Sequence, residues 1–170
     1  MRARASHDGV GRRRESRETR RDAEFAAFVA GAGGRLLRSA QLLTGEQAAA
    51  ERLLTAVLAR LYADWLRLDG EDPYDAARCE LFRRFAHRPW WRCRPHGGEL
   101  ARLSGLERLV VVMRFVEGVA EEQAAAQLAL PLDRLRTVAD RASATLCSRR
   151  GPAPFRAGWF GRHPARTAAP

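Results

Sequence analysis

Between Ala48 and Leu66 the apolar residues Leu54, Val57, Leu58, Leu61 and Trp65 recur at i, i+3, i+4, i+7 and i+11, the spacing that lines one face of a helix. Upstream, Phe25 and Phe28 predict a short amphipathic segment that ends at the glycines Gly31 to Gly34. Leu36, Ala40 and Leu43 continue at helical spacing up to a break at Thr44-Gly45. The run LDGEDP stops the clearest stripe. A further helix is expected from about Tyr74 to Arg88, with Ala77, Leu81 and Phe85 on one face, ending where Pro89 follows. No alternating strand pattern competes, so the expected class is all-α.

After RCRPHGGELAR, which reads as a linker, the layout changes. A helix from Leu103 to about Val116 presents Leu106, Leu109, Val110 and Met113 and is closed by Gly118. A short helix around Glu121 to Leu128, a tight break at Ala129 to Pro131 and a longer helix from Leu132 to about Cys147 follow. In the last of these Leu135, Val138, Ala139, Ala142 and Leu146 form the buried stripe, leaving Arg134, Thr137 and Arg141 together on another face. Small Ala125 permits close helix packing. The pattern fits a helix-turn-helix, although a plain helical hairpin would carry the same stripe.

Charge changes this picture at the ends. All 30 basic residues are arginine, and Lys, Asn and Ile are absent, as a GC-rich genome produces. Residues 1–21 carry eight Arg against three acids, and residues 148–170 carry five Arg against none, so the ends account for the net charge of +10. The stretch between them is neutral, with 17 of each sign. These basic ends read as disordered tails that either aid solubility or attract polyanions. The expected division is a tail at 1–22, helical domains at 23–91 and 103–147, a linker at 92–102 and a second tail at 148–170. No apolar run is long enough for a membrane span or signal peptide, and three scattered cysteines suit reduced thiols, so a cytoplasmic protein with no membrane partner is expected.

The densest candidate chemistry is RRFAHRPWWRCR, Arg83 to Arg94, with five arginines, two tryptophans and no carboxylate inside it. Cations that follow phosphates beside aromatic faces that accept unstacked bases suit a single nucleic-acid strand. Arg83, Arg84, Arg88, Trp90, Trp91 and Arg92 are the candidates, with Phe82 as a further aromatic and Phe85 assigned to the core. The competing reading has both tryptophans capping the helical bundle. His87, Cys93 and His96, with Cys79, match no common zinc spacing, so no metal and no cofactor are expected. No nucleophile-base order, phosphate loop or paired carboxylates stand out, and an enzyme is not expected.

The run LSGLERLVVVMRFVEGVAEEQAAAQLALPLDRLRTVADRASATL resembles region 4 of extracytoplasmic-function sigma factors of the sigma-70 family, as found in actinobacteria. FAAFVAGAGGRLLRSAQLLTGEQAAAERLLTAVLARLYADW is similar to region 2 of the same family. Matching positions include Leu42, Leu43, Thr44, Gly45, Glu51, Leu53 and Trp65, then Leu103, Arg108, Arg114, Glu117, Gly118, Leu128, Leu135 and Arg141. The resemblance implies a transcription initiation factor with RNA polymerase core and promoter DNA as partners, and possible control by an anti-sigma factor. It assigns polymerase binding to Glu51, Leu53, Leu54 and Val57, minus-ten strand capture to the Arg83–Arg92 segment, and major-groove contacts to Arg134, Arg136, Thr137 and Arg141.

Departures from the family pattern open an alternative. The acidic, glutamine-containing run of the polymerase-gripping helix is broken by Arg52, Thr55 and Ala56, and the turn glycine of the helix-turn-helix is Ala129. Residues 103–147 carry five Arg and six acids, a poor balance for neutralising phosphates. The 11-residue linker reaches at most about 40 Å, whereas promoter elements one and a half turns apart lie roughly 50 Å apart. The alternative is a sigma-derived regulator that keeps the fold and binds a protein partner, an anti-sigma factor or another sigma.

Overall fold

The computed structural model describes residues 5–68, 70–87 and 97–148, with side chains described from residue 15 onward. Their regular elements are all helices, with no strand among them: α1 (Ala5–Thr44), α2 (Gln47–Asp64) continued by a 3₁₀ turn (Trp65–Arg67), α3 (Pro73–Ala86), α4 (Gly105–Val111) continued by a π-helical turn (Val112–Val116), α5 (Glu121–Gln127) and α6 (Leu132–Cys147). The all-α expectation therefore holds. Among the described residues no helix is long and apolar enough to cross a membrane.

α1 differs most from expectation. The break foreseen at Gly31 to Gly34 does not occur, and residues 5–22, read as tail, form the first turns of the same helix. Each glycine weakens a helix by about 1 kcal/mol relative to alanine, but α1 is fixed on both sides of them. Phe25 meets Tyr62 and Trp65 edge-on at 5.0 and 5.2 Å between ring centroids, and Phe28 lies 5.5 Å from Trp65. Beyond the glycines Leu36, Ala40 and Leu43 are fully buried. At the Thr44-Gly45 corner Gly45 takes φ +72°, the left-handed region that favours glycine, and its N–H bonds to the Gln41 carbonyl at 2.8 Å.

The other boundaries follow local chemistry. Asp72 caps α3 by accepting from the Tyr74 N–H at 2.9 Å, with Pro73 in the first helical position. Ser104 and Glu107 form a reciprocal capping box at the start of α4. α5 ends in a Schellman turn, Leu130 N–H to Ala125 O and Ala129 N–H to Ala126 O, and its left-handed residue is Ala129 at φ +51°.

α1, α2 and α3 form one bundle, and α4, α5 and α6 a second that includes the helix-turn-helix. They are not separated. One continuous apolar cluster runs from Leu36, Leu43, Val57, Leu81 and Phe85 into Leu109, Val110, Val112, Met113 and Leu135. Each fully buried leucine or valine contributes roughly 1.5–3 kcal/mol relative to exposure, so this shared core is a substantial hold. Leu106, expected on the buried face of α4, is 39% exposed, because Val111 and Val112 are turned inward instead. Leu146, expected in the stripe of α6, is 40% exposed. Trp90, Trp91, Pro89 and residues 92–96 of the linker lie outside the described residues.

Candidate functional site

The junction between the two bundles is built around two buried charges from the α4–π segment. Arg108, 0% exposed, donates from Nη1 to the Leu43 carbonyl. That carbonyl belongs to the last turn of α1, where helix geometry leaves oxygens without an internal partner and favours a cation. The guanidinium also lies 5.7 Å from the centroid of the Phe85 ring.

Glu117, 5% exposed, occupies the other end of the segment. Its carboxylate accepts from Ser39 Oγ, from Tyr74 Oη at 2.8 Å and from Arg35 Nη2 at 3.2 Å. Arg78 Nη1 donates to the Glu117 main-chain carbonyl at 3.1 Å. Ser39 and Arg35 stand on α1, Tyr74 and Arg78 on α3, so one residue ties two helices of the first bundle to the second. Arg35 also stacks over the Tyr74 ring, 4.6 Å from its centroid. Burial first, then the hydrogen bond to Glu117, raises the Tyr74 phenol above its ordinary range.

Local backbone aims the carboxylate. The π turn closes with the Glu117 N–H on the Val112 carbonyl at 2.9 Å, and Gly118 at φ +67° turns the chain away. Smaller ties flank it. Arg38 holds Glu99 at 2.8 Å, and Gln127 of α5 donates to Cys79 Sγ of α3 at 3.4 Å. Burial pushes the Cys79 thiol up. A Cβ on Gly98, whose φ is +92°, would stand 3.0 Å from the Gly45 Cα, so the end of the linker rests directly on the α1–α2 corner.

The residues anticipated for nucleic acid and polymerase are distributed differently. Leu53, Leu54 and Val57 are 3%, 9% and 0% exposed and belong to the core; of the four residues assigned to polymerase, only Glu51 is exposed, and it accepts from Gln47. The segment read as lacking a carboxylate finds one just upstream: Glu80 takes both Arg83, at 2.7 and 2.8 Å, and Arg84, at 2.6 Å. Those bonds, Arg83's foremost, hold the Glu80 carboxyl below its usual range. Phe82, considered as a base-stacking ring, is buried beside Phe85. Arg88, Trp90, Trp91, Arg92, Cys93 and His96 lie outside the described residues.

On α6, Arg134, Arg136, Thr137 and Arg141 are all exposed. Arg136, however, pairs with Glu121 at 3.0 Å and approaches Asp133 at 3.8 Å, and Thr137 Oγ1 donates to the Asp133 carbonyl. Glu121 also holds Arg114 at 3.4 Å. A shallow pocket of about 530 Å³ between α2 and α3 is lined by Arg60, Asp64, Arg67, Glu71, Cys79 and Arg83 among others, with its charges of both signs.

No family model matches the chain, and no curated protein does. Among solved structures it is similar to the anti-anti-sigma factor PhyR in its complex with the anti-sigma factor NepR from Bartonella quintana, at 20% identity and a TM-score of 0.52, over 71% of this chain. The match spans 48% of the PhyR chain, about half its length. The likeness shows a shared fold over the matched part, and the elements of this chain among the described residues are all helices.

Proposed function

We propose that this chain is a sigma-derived regulatory module that binds a protein partner of the anti-sigma kind and does not use its two halves to span a promoter on polymerase. The observation that carries this reading is the closed junction, with Glu117 buried among Arg35, Ser39 and Tyr74. Spanning two promoter elements requires the halves apart and the linker near full extension, whereas here the halves share a core and the end of the linker is folded onto the Gly45 corner.

Three further features support it. The helix that would grip polymerase bears Arg52, Thr55 and Ala56 where the family carries a polar, acidic run, and its leucines are occupied in the core. Arg83, Arg84 and Arg136 are engaged by Glu80 and Glu121 within the chain. The structurally similar PhyR was crystallised with an anti-sigma factor.

The sigma-factor reading, with RNA polymerase core and promoter DNA as partners, keeps one favourable observation, the exposed α6 face of Arg134 and Arg141. Titration of the immobilised chain with purified anti-sigma factors and, separately, with core polymerase discriminates the two. A Kd of about 1 μM or tighter for an anti-sigma factor, without saturable polymerase binding, is expected. A promoter-specific transcript made by core polymerase only when this chain is added overturns the proposal.

A further inference from the structure

Beside the apolar cluster that runs across it, the junction carries opposite buried charges at the two ends of a single segment, Arg108 and Glu117. Taking a charge out of water is costly unless its partners are well placed. When the junction parts those groups recover hydration, which offsets part of the cost of uncovering the shared core, and their pairing lets the two halves close in one register only.

The two charges act differently. Arg108 donates to the end of α1 and faces the Phe85 ring of α3. Glu117 gathers hydrogen-bond donors from both α1 and α3 on its carboxylate, and its main chain takes Arg78. Arg35 is 59% exposed at its side chain, so the clasp reaches the surface and one of its members is accessible from solvent.

We propose that Glu117 is a releasable clasp: its carboxylate holds the α4–α6 half shut against α1 and α3, and its release lets that half swing away, admitting a partner between the two. The partner part rests on the protein-binding reading above; the opening part does not. Coupling follows because a partner that binds only the open arrangement must supply the free energy the clasp contributes.

The test uses the full chain with Cys93→Ser and Cys147→Ser, leaving Cys79 as the sole thiol. Cys79 is half-buried and lines the pocket between α2 and α3, so it reacts with a thiol reagent at a basal rate in the closed form; because it also accepts from Gln127 across the junction, a rise above that basal rate reports opening. With Glu117→Ala, that rate should rise about tenfold or more, as loss of a buried hydrogen bond to a charged group implies, with a larger radius of gyration in small-angle scattering and unchanged helical circular dichroism. Tyr74→Phe, which removes one donor without emptying the site, should give a smaller rise in the same direction and serves if Glu117→Ala does not fold. Unchanged labelling and radius in the folded variants overturn the clasp. Tighter anti-sigma binding by Glu117→Ala supports the coupling, whereas opening with no anti-sigma binding by either form sinks the protein-binding reading and leaves the clasp standing.

Discussion

Arg108, on the fourth helix, donates to the carbonyl of Leu43, at the end of the first. A cation from one bundle thus completes the helix terminus of the other. Arg108→Leu should leave that carbonyl buried without this donor and lower stability by about 1–3 kcal/mol. Urea denaturation measures it; an unchanged midpoint would show that the bond adds nothing to folding.

Ala129 occupies a left-handed position at φ +51°, where a side chain costs roughly 1–2 kcal/mol and glycine costs little. Ala129→Gly, after the greater freedom of glycine in the unfolded chain is subtracted, should stabilise by up to about 1 kcal/mol. Ala129→Val should destabilise. Thermal melting of the two variants in opposite directions is the expected result, and a loss of stability on Ala129→Gly would contradict it.

Gly98 should tolerate no side chain. Its φ of +92° and the 3.0 Å approach of a Cβ to the Gly45 backbone act together, so Gly98→Ala is expected to cost about 1–2 kcal/mol. Gly97, whose Cβ would meet only the Gly45 carbonyl oxygen at 3.8 Å, is the internal comparison. Equal tolerance at both positions in a denaturation series would refute the difference.

Glu80 restrains the arginines that begin the basic segment. Glu80→Gln should free Arg83 and Arg84 for phosphates and steepen the salt dependence of single-strand DNA binding by about 0.7 in log–log slope per phosphate newly neutralised. No change in slope would place the electrostatics elsewhere. In the parent chain the Glu80 carboxyl, held low by Arg83 and then Arg84, should titrate by NMR below its ordinary 4.5. A depressed acid gives its stabilisation above the unfolded value and loses it as pH falls through the folded one, so these pairs should survive mild acid.

Tyr74 and Tyr62 both resist ionisation, Tyr74 through burial and then Glu117, Tyr62 through its bond to Asp22 and then burial. A raised phenol contributes stability that is complete below the unfolded value near 10 and is lost as pH rises through the folded value. Stability should therefore fall above pH 10, and less so in Tyr74→Phe. Denaturant titrations across that range with equal slopes for both proteins would exclude the Tyr74 contribution.

The helices were legible in the sequence because periodicity is local. The stripes of α2 and α3, the Thr44-Gly45 corner and the break at Ala129 to Pro131 all follow from neighbouring residues, whereas the glycine-like position of Ala129 came from the resemblance. The continuity of α1 was not legible, since its glycines act locally while the rings that anchor it, Tyr62 and Trp65, arrive from another helix. The junction was missed for a related reason. Arg108 and Glu117 looked only like matching positions of a resemblance, yet Arg108 borders LVVVM, a run that leaves no polar face. A helix apolar all round is enclosed all round, so Arg108 should have been expected inside; the sequence carries no such signal for Glu117. That Leu53, Leu54 and Val57 lie in the core was not legible either, because a sequence resemblance does not say which side of a helix faces inward.

The π turn at Val112–Val116 sets the phase of everything after it. It fits one extra residue into a single wider turn, so that Glu117 closes on the Val112 carbonyl the bond that a residue one place earlier would close in an α-helix. Substitutions in this turn can be absorbed by packing, and a one-residue deletion by a return to ordinary winding, but a further inserted residue cannot: it would rotate Glu117 by about 100° around the helix axis and carry the carboxylate out of reach of Ser39, Tyr74 and Arg35 at a stroke. The length of that turn is thus as much a determinant of the closed molecule as the identity of any residue in it.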